Sequence, residues 1–379
     1  MSGSVVAPKP PSSAWLRTFL EPSLVEAGGY KIDTPDVDIK LDQNESPWDI
    51  PESIKRKVVE KTMEKAWNRY PSTFCDDLAD KLAVYAGTSP GTVLLGPGSN
   101  YLVSLVLSMF SKAIVKSSGQ AGKVIIARPS FVLYENHCKY DGIPYELWNL
   151  NEDLEYDLSL MPKLPDGSLV IFASPNNPVG NSLAKADFRT LLMAHPNSLF
   201  IADEAYVEYA AEPYTDLLAE CSNLMLIRTL SKTFGCAGVR VGYIMGHPSY
   251  LNELKKLRLP YLLNHFSIAA LEVLLEDSET QSHLAKIREN AISSRQEMHR
   301  ELSAIGDKKA LFKVKNSEAN FLLIRFKSQD EAMRCYKKLI SDRILVRNIS
   351  AGPGLNACIR VTLGNKTENA ALVRSFAGF

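Results

Sequence analysis

The chain has no excess charge of either sign: its 379 residues carry 43 Lys and Arg against 43 Asp and Glu. That balance argues against nucleic acid or an anionic membrane as the main partner, because both select a basic excess. It leaves room for a small anion held by two or three arginines. No apolar run reaches the roughly 20 residues that a membrane-crossing helix needs. Met1 to Ser13 is rich in Pro, Ser and Ala and lacks the continuous apolar stretch of a secretory signal, so it reads as a loose arm. The six cysteines (Cys75, Cys138, Cys221, Cys236, Cys335, Cys358) are scattered, with no C-x-x-C pair. Reduced thiols in a cytoplasmic enzyme are expected. The six histidines are dispersed, H-E-x-x-H is absent, and no metal site is expected.

What is present is an alternation. From about residue 90 to 245, short apolar runs bounded by Pro, Gly or Asn alternate with helical stretches. The runs are Val93–Leu95, Val124–Ala127, Leu169–Ala173, Leu199–Ala202, Leu224–Ile227 and Val241–Met245. Such runs suit strands buried on both faces, and helices between them predict an α/β sheet, mostly parallel. Beyond Pro260 come long charged helical stretches, Ile268 to Ile305. Three further strands follow around a helix: Phe321–Phe326, Ile344–Val346 and Ile359–Leu363, with Asp330–Ile340. The length suits one large domain plus a smaller one. The expected division is residues 1–45 as arm and part of the small domain, 46–258 as the large domain, and 259–379 as the small one. The small α+β domain would thus draw on both chain ends.

The polar clusters sit at the carboxyl ends of the strands, where ligands of α/β sheets collect. Lys232, in Arg228-Thr229-Leu230-Ser231-Lys232-Thr233-Phe234-Gly235, follows an apolar strand. A desolvated amine loses its proton more easily and can condense with an aldehyde. Asp203, in Asp203-Glu204-Ala205-Tyr206, can hold a ring nitrogen protonated, or can simply cap a helix. Tyr206 could bond a phenolic oxygen or belong to the core. Ser174-Pro175-Asn176-Asn177-Pro178-Val179-Gly180 is a rigid turn that presents the Asn177 amide. Gly96-Pro97-Gly98-Ser99-Asn100 joins strand to helix and offers backbone N–H groups to an anion. It lacks the third glycine of a dinucleotide fingerprint, and no Walker A run occurs, so a phosphate monoester suits it better than NAD or ATP. Thr229, Ser231 and Arg240 could complete a phosphate cup, and Phe131 offers a face for an aromatic ring. Each feature has an ordinary structural reading alone. Together they ask for a phosphate, a pyridinium nitrogen, a ring hydroxyl, a ring face and an aldehyde, which pyridoxal 5′-phosphate (PLP) combines.

On these residues the chain resembles the class I/II, fold-type I PLP-dependent aminotransferases from about Leu41 to Gly364. It is most similar to their histidinol-phosphate aminotransferase branch. The ordered motifs are N-E-S-P, R-Y-P, S-P-N-N-P-x-G, D-E-A-Y, S-K-T-F-G-x-A-G-x-R-x-G and I-R-V-T-L-G. The resemblance implies that Lys232 binds the cofactor aldehyde and shuttles the substrate proton, while Asp203 pairs with the pyridine nitrogen. It assigns Asn177 and Tyr206 to the ring oxygen, and Ser99, Asn100, Thr229, Ser231 and Arg240 to the cofactor phosphate. Tyr70, in Asn68-Arg69-Tyr70-Pro71, matches a tyrosine that reaches the neighbouring active site of a homodimer. Arg360 matches the arginine that grips the substrate α-carboxylate, and Arg347 a branch arginine for a substrate phosphate.

The implied activity is a ping-pong transamination, with L-histidinol phosphate and 2-oxoglutarate as the preferred pair. An aromatic or broad amino acid aminotransferase, or a decarboxylase of a phospho-amino acid such as threonine phosphate, would share the cofactor residues. Four positions depart from the family pattern. Tyr101 stands where Glu is common, Phe131 replaces the usual stacking tyrosine, and Val179 replaces a threonine. No tyrosine stands at Glu21-Pro22-Ser23-Leu24, where the branch has one for substrate phosphate; Tyr30 is the nearest.

Overall fold

The computed structural model describes residues 35–116 and 122–379, together with Trp15 and Thr18. The loose arm expected at Met1 to Ser13, and Tyr30, lie outside the described residues.

Seven strands form the larger sheet: β2 (Val93–Gly96), β3 (Val124–Arg128), β4 (Tyr145–Asn149), β5 (Leu169–Ala173), β6 (Leu199–Asp203), β7 (Leu224–Thr229) and β8 (Gly242–Gly246). Their spatial order is β2-β8-β7-β6-β5-β3-β4. Only β8 runs against its neighbours β2 and β7; the other pairings are parallel. Every residue of β5, β6 and β7 is buried. The two-residue period of a strand divides them between two cores. Val170, Phe172, Phe200 and Leu226 join one apolar cluster; Leu169, Ile171, Leu199 and Met225 join the other. This is why these runs read as uniformly apolar. Strand β4 has no such signature. It is an edge strand, mostly half-buried, with the mixed sequence Tyr-Glu-Leu-Trp-Asn.

A smaller sheet contains β1 (Ile39–Leu41), β9 (Phe312–Val314), β10 (Phe321–Phe326), β11 (Ile344–Asn348) and β12 (Cys358–Thr362), in the order β1-β11-β12-β10-β9. Strand β1 pairs in parallel with β11, so a segment from early in the chain completes a sheet otherwise built from its last third. Helix Gln329–Ser341 covers this sheet and starts with a capping box between Ser328 and Glu331.

The helices after residue 259 link the two sheets. Helix His265–Glu276 packs on helix Glu52–Met63, and its Ile268, Ala270, Leu271 and Leu274 are buried in the larger sheet's core. The following helix, Ser278–Lys309, carries the chain across. Its Leu284 joins the larger core, whereas Met298 and Leu302 join the core of the smaller sheet. Apolar area holds the first helix to the larger unit, and the charged texture after Pro260 does not reveal that.

Candidate active site

Strands β6 and β7 end side by side and point their polar followers to one place. Asp203 closes β6 and is buried. Its Oδ2 accepts the Tyr134 hydroxyl at 2.6 Å, and its Oδ1 accepts the Ala205 N–H at 3.0 Å. Burial pushes its carboxyl up to about 6, against those two hydrogen bonds, which favour the charged form. Lys232 follows β7 by three residues. Its Nζ donates to the Gln43 carbonyl at 2.9 Å and lies 5.9 Å from the centre of the Tyr206 ring. Burial first, and then the nearby Arg360 charge, lower the amine to about 8. A lysine in this setting is largely ammonium at neutral pH but loses its proton readily.

Tyr206 is buried, edge-on to Phe321, and its hydroxyl accepts from Asn44 Nδ2 at 2.9 Å. Asn44 adopts a left-handed backbone, φ 55°, and its own N–H donates to Thr362 Oγ1 at 3.0 Å. The N-E-S-P motif therefore ties β12 to the Tyr206 hydroxyl. From β12, Arg360 reaches the larger unit. Its Nη1 donates to Asn177 Oδ1 at 2.6 Å and its Nη2 to the Asp42 carbonyl at 2.5 Å. Arg347 on β11 stands opposite Arg360 in the antiparallel ladder.

Behind these groups the β2–β8–β7 register aligns Gly96, Gly242 and Thr229. Ser99 and Asn100 open the helix Ser99–Lys116, whose first N–H groups have no intrahelical acceptor. Thr229 Oγ1 and Ser231 Oγ are 3.1 Å apart, and Arg240 Nη1 donates to Ser231 Oγ at 3.4 Å. Gly98 has φ 92°, and a Cβ there would lie 2.6 Å from Arg240 Nη2. One at Gly242 would lie 2.5 Å from the Ser99 nitrogen. The structure therefore brings Ser99, Thr229, Ser231 and Arg240 together at a point where glycines let the Arg240 guanidinium and the Ser99 backbone approach closely. Phe131 is half-buried and makes an edge contact with Tyr134, ring centres 5.6 Å apart. Tyr70 is different: it is 80% exposed and stacks on Tyr261 rather than joining this cluster.

Three contributors escaped the sequence reading. Tyr134 had a signal, since it stands three residues after Phe131, in the first turn of the helix Leu133–Tyr140. Asn44 had one in its motif. Gln43 acts through its backbone carbonyl and carries none.

The model of the aminotransferase class I and II family matches residues 36–376. The chain belongs to this family. A histidinol-phosphate aminotransferase of Thermococcus gammatolerans is 30% identical over 357 residues, 94% of this chain and 94% of that protein. One from Chromobacterium violaceum is 31% identical over 369 residues, 96% of this chain and 98% of its own length. Among solved structures, the histidinol-phosphate aminotransferase of Sinorhizobium meliloti in complex with pyridoxal-5′-phosphate superposes with a TM-score of 0.78 at 22% identity, covering 95% of this chain and 97% of that one. The L-threonine-O-3-phosphate decarboxylase of Porphyromonas gingivalis gives 0.73 at 22% identity, over 90% and 99%.

The aminotransferase has the fold-type I architecture and is a PLP-dependent transaminase. Its residues fit that cofactor on their own geometry. The close approach allowed at Gly98 and Gly242 gathers hydroxyls, a helix N-terminus and Arg240, a donor set for a phosphate dianion. Asp203 supplies a buried acceptor, and Lys232 an amine of lowered basicity. No helix among the described residues is long and apolar enough to cross a membrane.

Proposed function

We propose that this aminotransferase takes the amino group of L-histidinol phosphate and passes it to 2-oxoglutarate in a ping-pong cycle. The observation that carries the substrate choice is the Arg347–Arg360 pairing across β11 and β12. Residues directly opposite in an antiparallel pair project from the same face. One guanidinium matches a carboxylate, as in 2-oxoglutarate; two together match a phosphate group, with its nearly doubled charge and three acceptor oxygens. In histidinol phosphate the phosphate stands where an amino acid has its carboxylate, so both substrates can use the same arginines. The names of the relatives support the same choice.

Bound PLP would supply the aldehyde and the electron-withdrawing ring. Lys232, in its neutral form, would take the proton from the substrate Cα and deliver it two bonds away, to the carbon that had been the cofactor's aldehyde. Asp203 keeps the ring nitrogen protonated, and Asn177 and Tyr206 hold the ring oxygen. Ser99, Asn100, Thr229, Ser231 and Arg240 anchor the cofactor phosphate, with Phe131 against the ring face. The working unit is a homodimer in which Tyr70 reaches the neighbouring phosphate. Its own exposure, and that of Trp67, Leu259, Tyr261 and Phe266, supports an apolar docking surface there. Six buried cysteines, none in a disulfide, support a cytoplasmic location.

A single-turnover screen of histidinol phosphate, phenylalanine, glutamate and threonine phosphate tests the reading. Histidinol phosphate should convert the bound cofactor to its amine form fastest. Release of carbon dioxide from threonine phosphate would point to decarboxylation instead.

A further inference from the structure

Asp203 can serve a ring nitrogen only if it is held ionised and aimed while buried beneath the sheet's carboxyl edge. Two neighbours occupy its oxygens: the Ala205 N–H on Oδ1 and the Tyr134 hydroxyl on Oδ2, at 3.0 and 2.6 Å. The first is a turn contact two residues along the chain. The second crosses 69 positions and comes from a side chain with no solvent exposure. The Tyr134 ring also meets Phe131 edge-on, with 81° between planes. One residue thus touches both the acid and the aromatic side chain assigned to the ring face.

We propose that Tyr134 is a positioning residue for the cofactor, fixing the rotamer and charge of Asp203 through its hydroxyl and the tilt of Phe131 through its ring. This rests on the assignment of Asp203 to the pyridine nitrogen. The hydroxyl has one proton, and donating it to Oδ2 favours the carboxylate form against the burial that opposes it. With that proton committed, the remaining lone pairs of Asp203 stay available to a protonated ring nitrogen. No water can replace the hydroxyl without opening the core around it, because Tyr134 is packed with Ile126 and Cys138 in one apolar cluster.

The test is cofactor affinity, measured on the cofactor-free chain by quenching of intrinsic fluorescence. Two ligands are compared: PLP and its 1-deaza analogue, in which C–H replaces the ring nitrogen. Tyr134→Phe, which keeps the ring, should weaken PLP about tenfold, the scale of one hydrogen bond to a charged group, and the analogue far less. Tyr134→His, which restores a donor, should recover part of the loss. Should Tyr134→Phe bind both ligands as tightly as the unaltered chain, or lose both equally, the proposal is overturned. Asp203→Asn separates this from its premise. If Asp203→Asn discriminates between the ligands and Tyr134→Phe does not, only the Tyr134 role fails. If Asp203→Asn weakens both alike, the ring-nitrogen assignment fails with it. Melting temperatures with each ligand bound give a second readout of the same differences.

Discussion

Arg347 stands directly across from Arg360 in the antiparallel β11–β12 pair, so two guanidinium side chains leave one face of the smaller sheet together. Arg360 is anchored to Asn177, in the turn after β5, and to the Asp42 carbonyl, just after β1. Two guanidinium groups side by side offer a fan of N–H donors that a phosphate dianion can bridge, which is the physical reason to expect a phosphorylated ligand. Arg347→Ala should raise KM for histidinol phosphate by roughly ten- to a hundredfold, the value of a charge-assisted contact. It should alter KM for phenylalanine by no more than about threefold, since an α-carboxylate needs Arg360 alone. Arg347→Lys should recover only part of the loss, because an ammonium lacks the planar fork. Steady-state kinetics with both donors decide this; equal changes would remove the phosphate assignment.

The pH dependence of cofactor uptake follows from two displaced groups. Lys232 is lowered to about 8 by burial and the Arg360 charge, so its neutral, nucleophilic fraction grows as pH rises through 8. Asp203 is raised to about 6 by burial, so its charge is lost as pH falls through 6. Association of PLP with the cofactor-free chain should therefore fall off below about pH 6 and climb toward a plateau above about pH 8. Stopped-flow absorbance across that range checks it. A limb centred near 10.5 would mean that Lys232 is an ordinary exposed lysine.

The dimer assignment has a separable consequence. Consider a mixed dimer with Tyr70→Phe on one subunit and Lys232→Ala on the other. The intact Lys232 then faces a partner with Tyr70, and PLP affinity there should be normal. With both changes on the same subunit, the intact Lys232 faces a partner that lacks the Tyr70 hydroxyl, and affinity should drop about tenfold. Differential tagging and fluorescence titration provide the readout. Identical affinities in the two arrangements would show that Tyr70 does not cross the interface.

Stability near the site depends on a buried ion pair. Arg228 donates to Glu204 Oε2 through Nε at 2.8 Å and to Thr215 through Nη2 at 2.6 Å, while Glu204 Oε1 accepts the Tyr214 N–H at 2.8 Å. Both charged residues are buried. Arg228→Met should destabilise the fold by about 3–5 kcal/mol, because it leaves a carboxylate buried without its partner. Adding Glu204→Gln should recover much of that. Urea unfolding of the single and double variants measures the difference; a single variant as stable as the unaltered chain would contradict the account.

Much of this architecture is legible along the chain, for reasons that are local. Strands β5, β6 and β7 are buried on both faces and so are apolar at every position before their polar ends. Asp203 and Thr229 then mark where those strands stop. Strand β4 is hidden because an edge position admits Glu146 and Tyr145. Tyr134 is hidden because its partner Asp203 is 69 positions away and a tyrosine in a helix usually reads as core. The Asn44–Thr362 link spans 318 positions and depends on a left-handed residue that nothing local to Asn44 requires. The side on which helix His265–Glu276 packs is hidden for the same reason. Whether an amphipathic helix rests on one sheet or the next is decided by tertiary packing, not by its own period.

The central claim is that the Lys232 amine carries the cofactor. Borohydride reduction of the PLP-loaded protein, followed by peptide mass spectrometry, tests it most directly. The account predicts a phosphopyridoxyl adduct on Lys232, with bound-cofactor absorbance lost in Lys232→Ala. An adduct on another lysine, or none on Lys232, would contradict it.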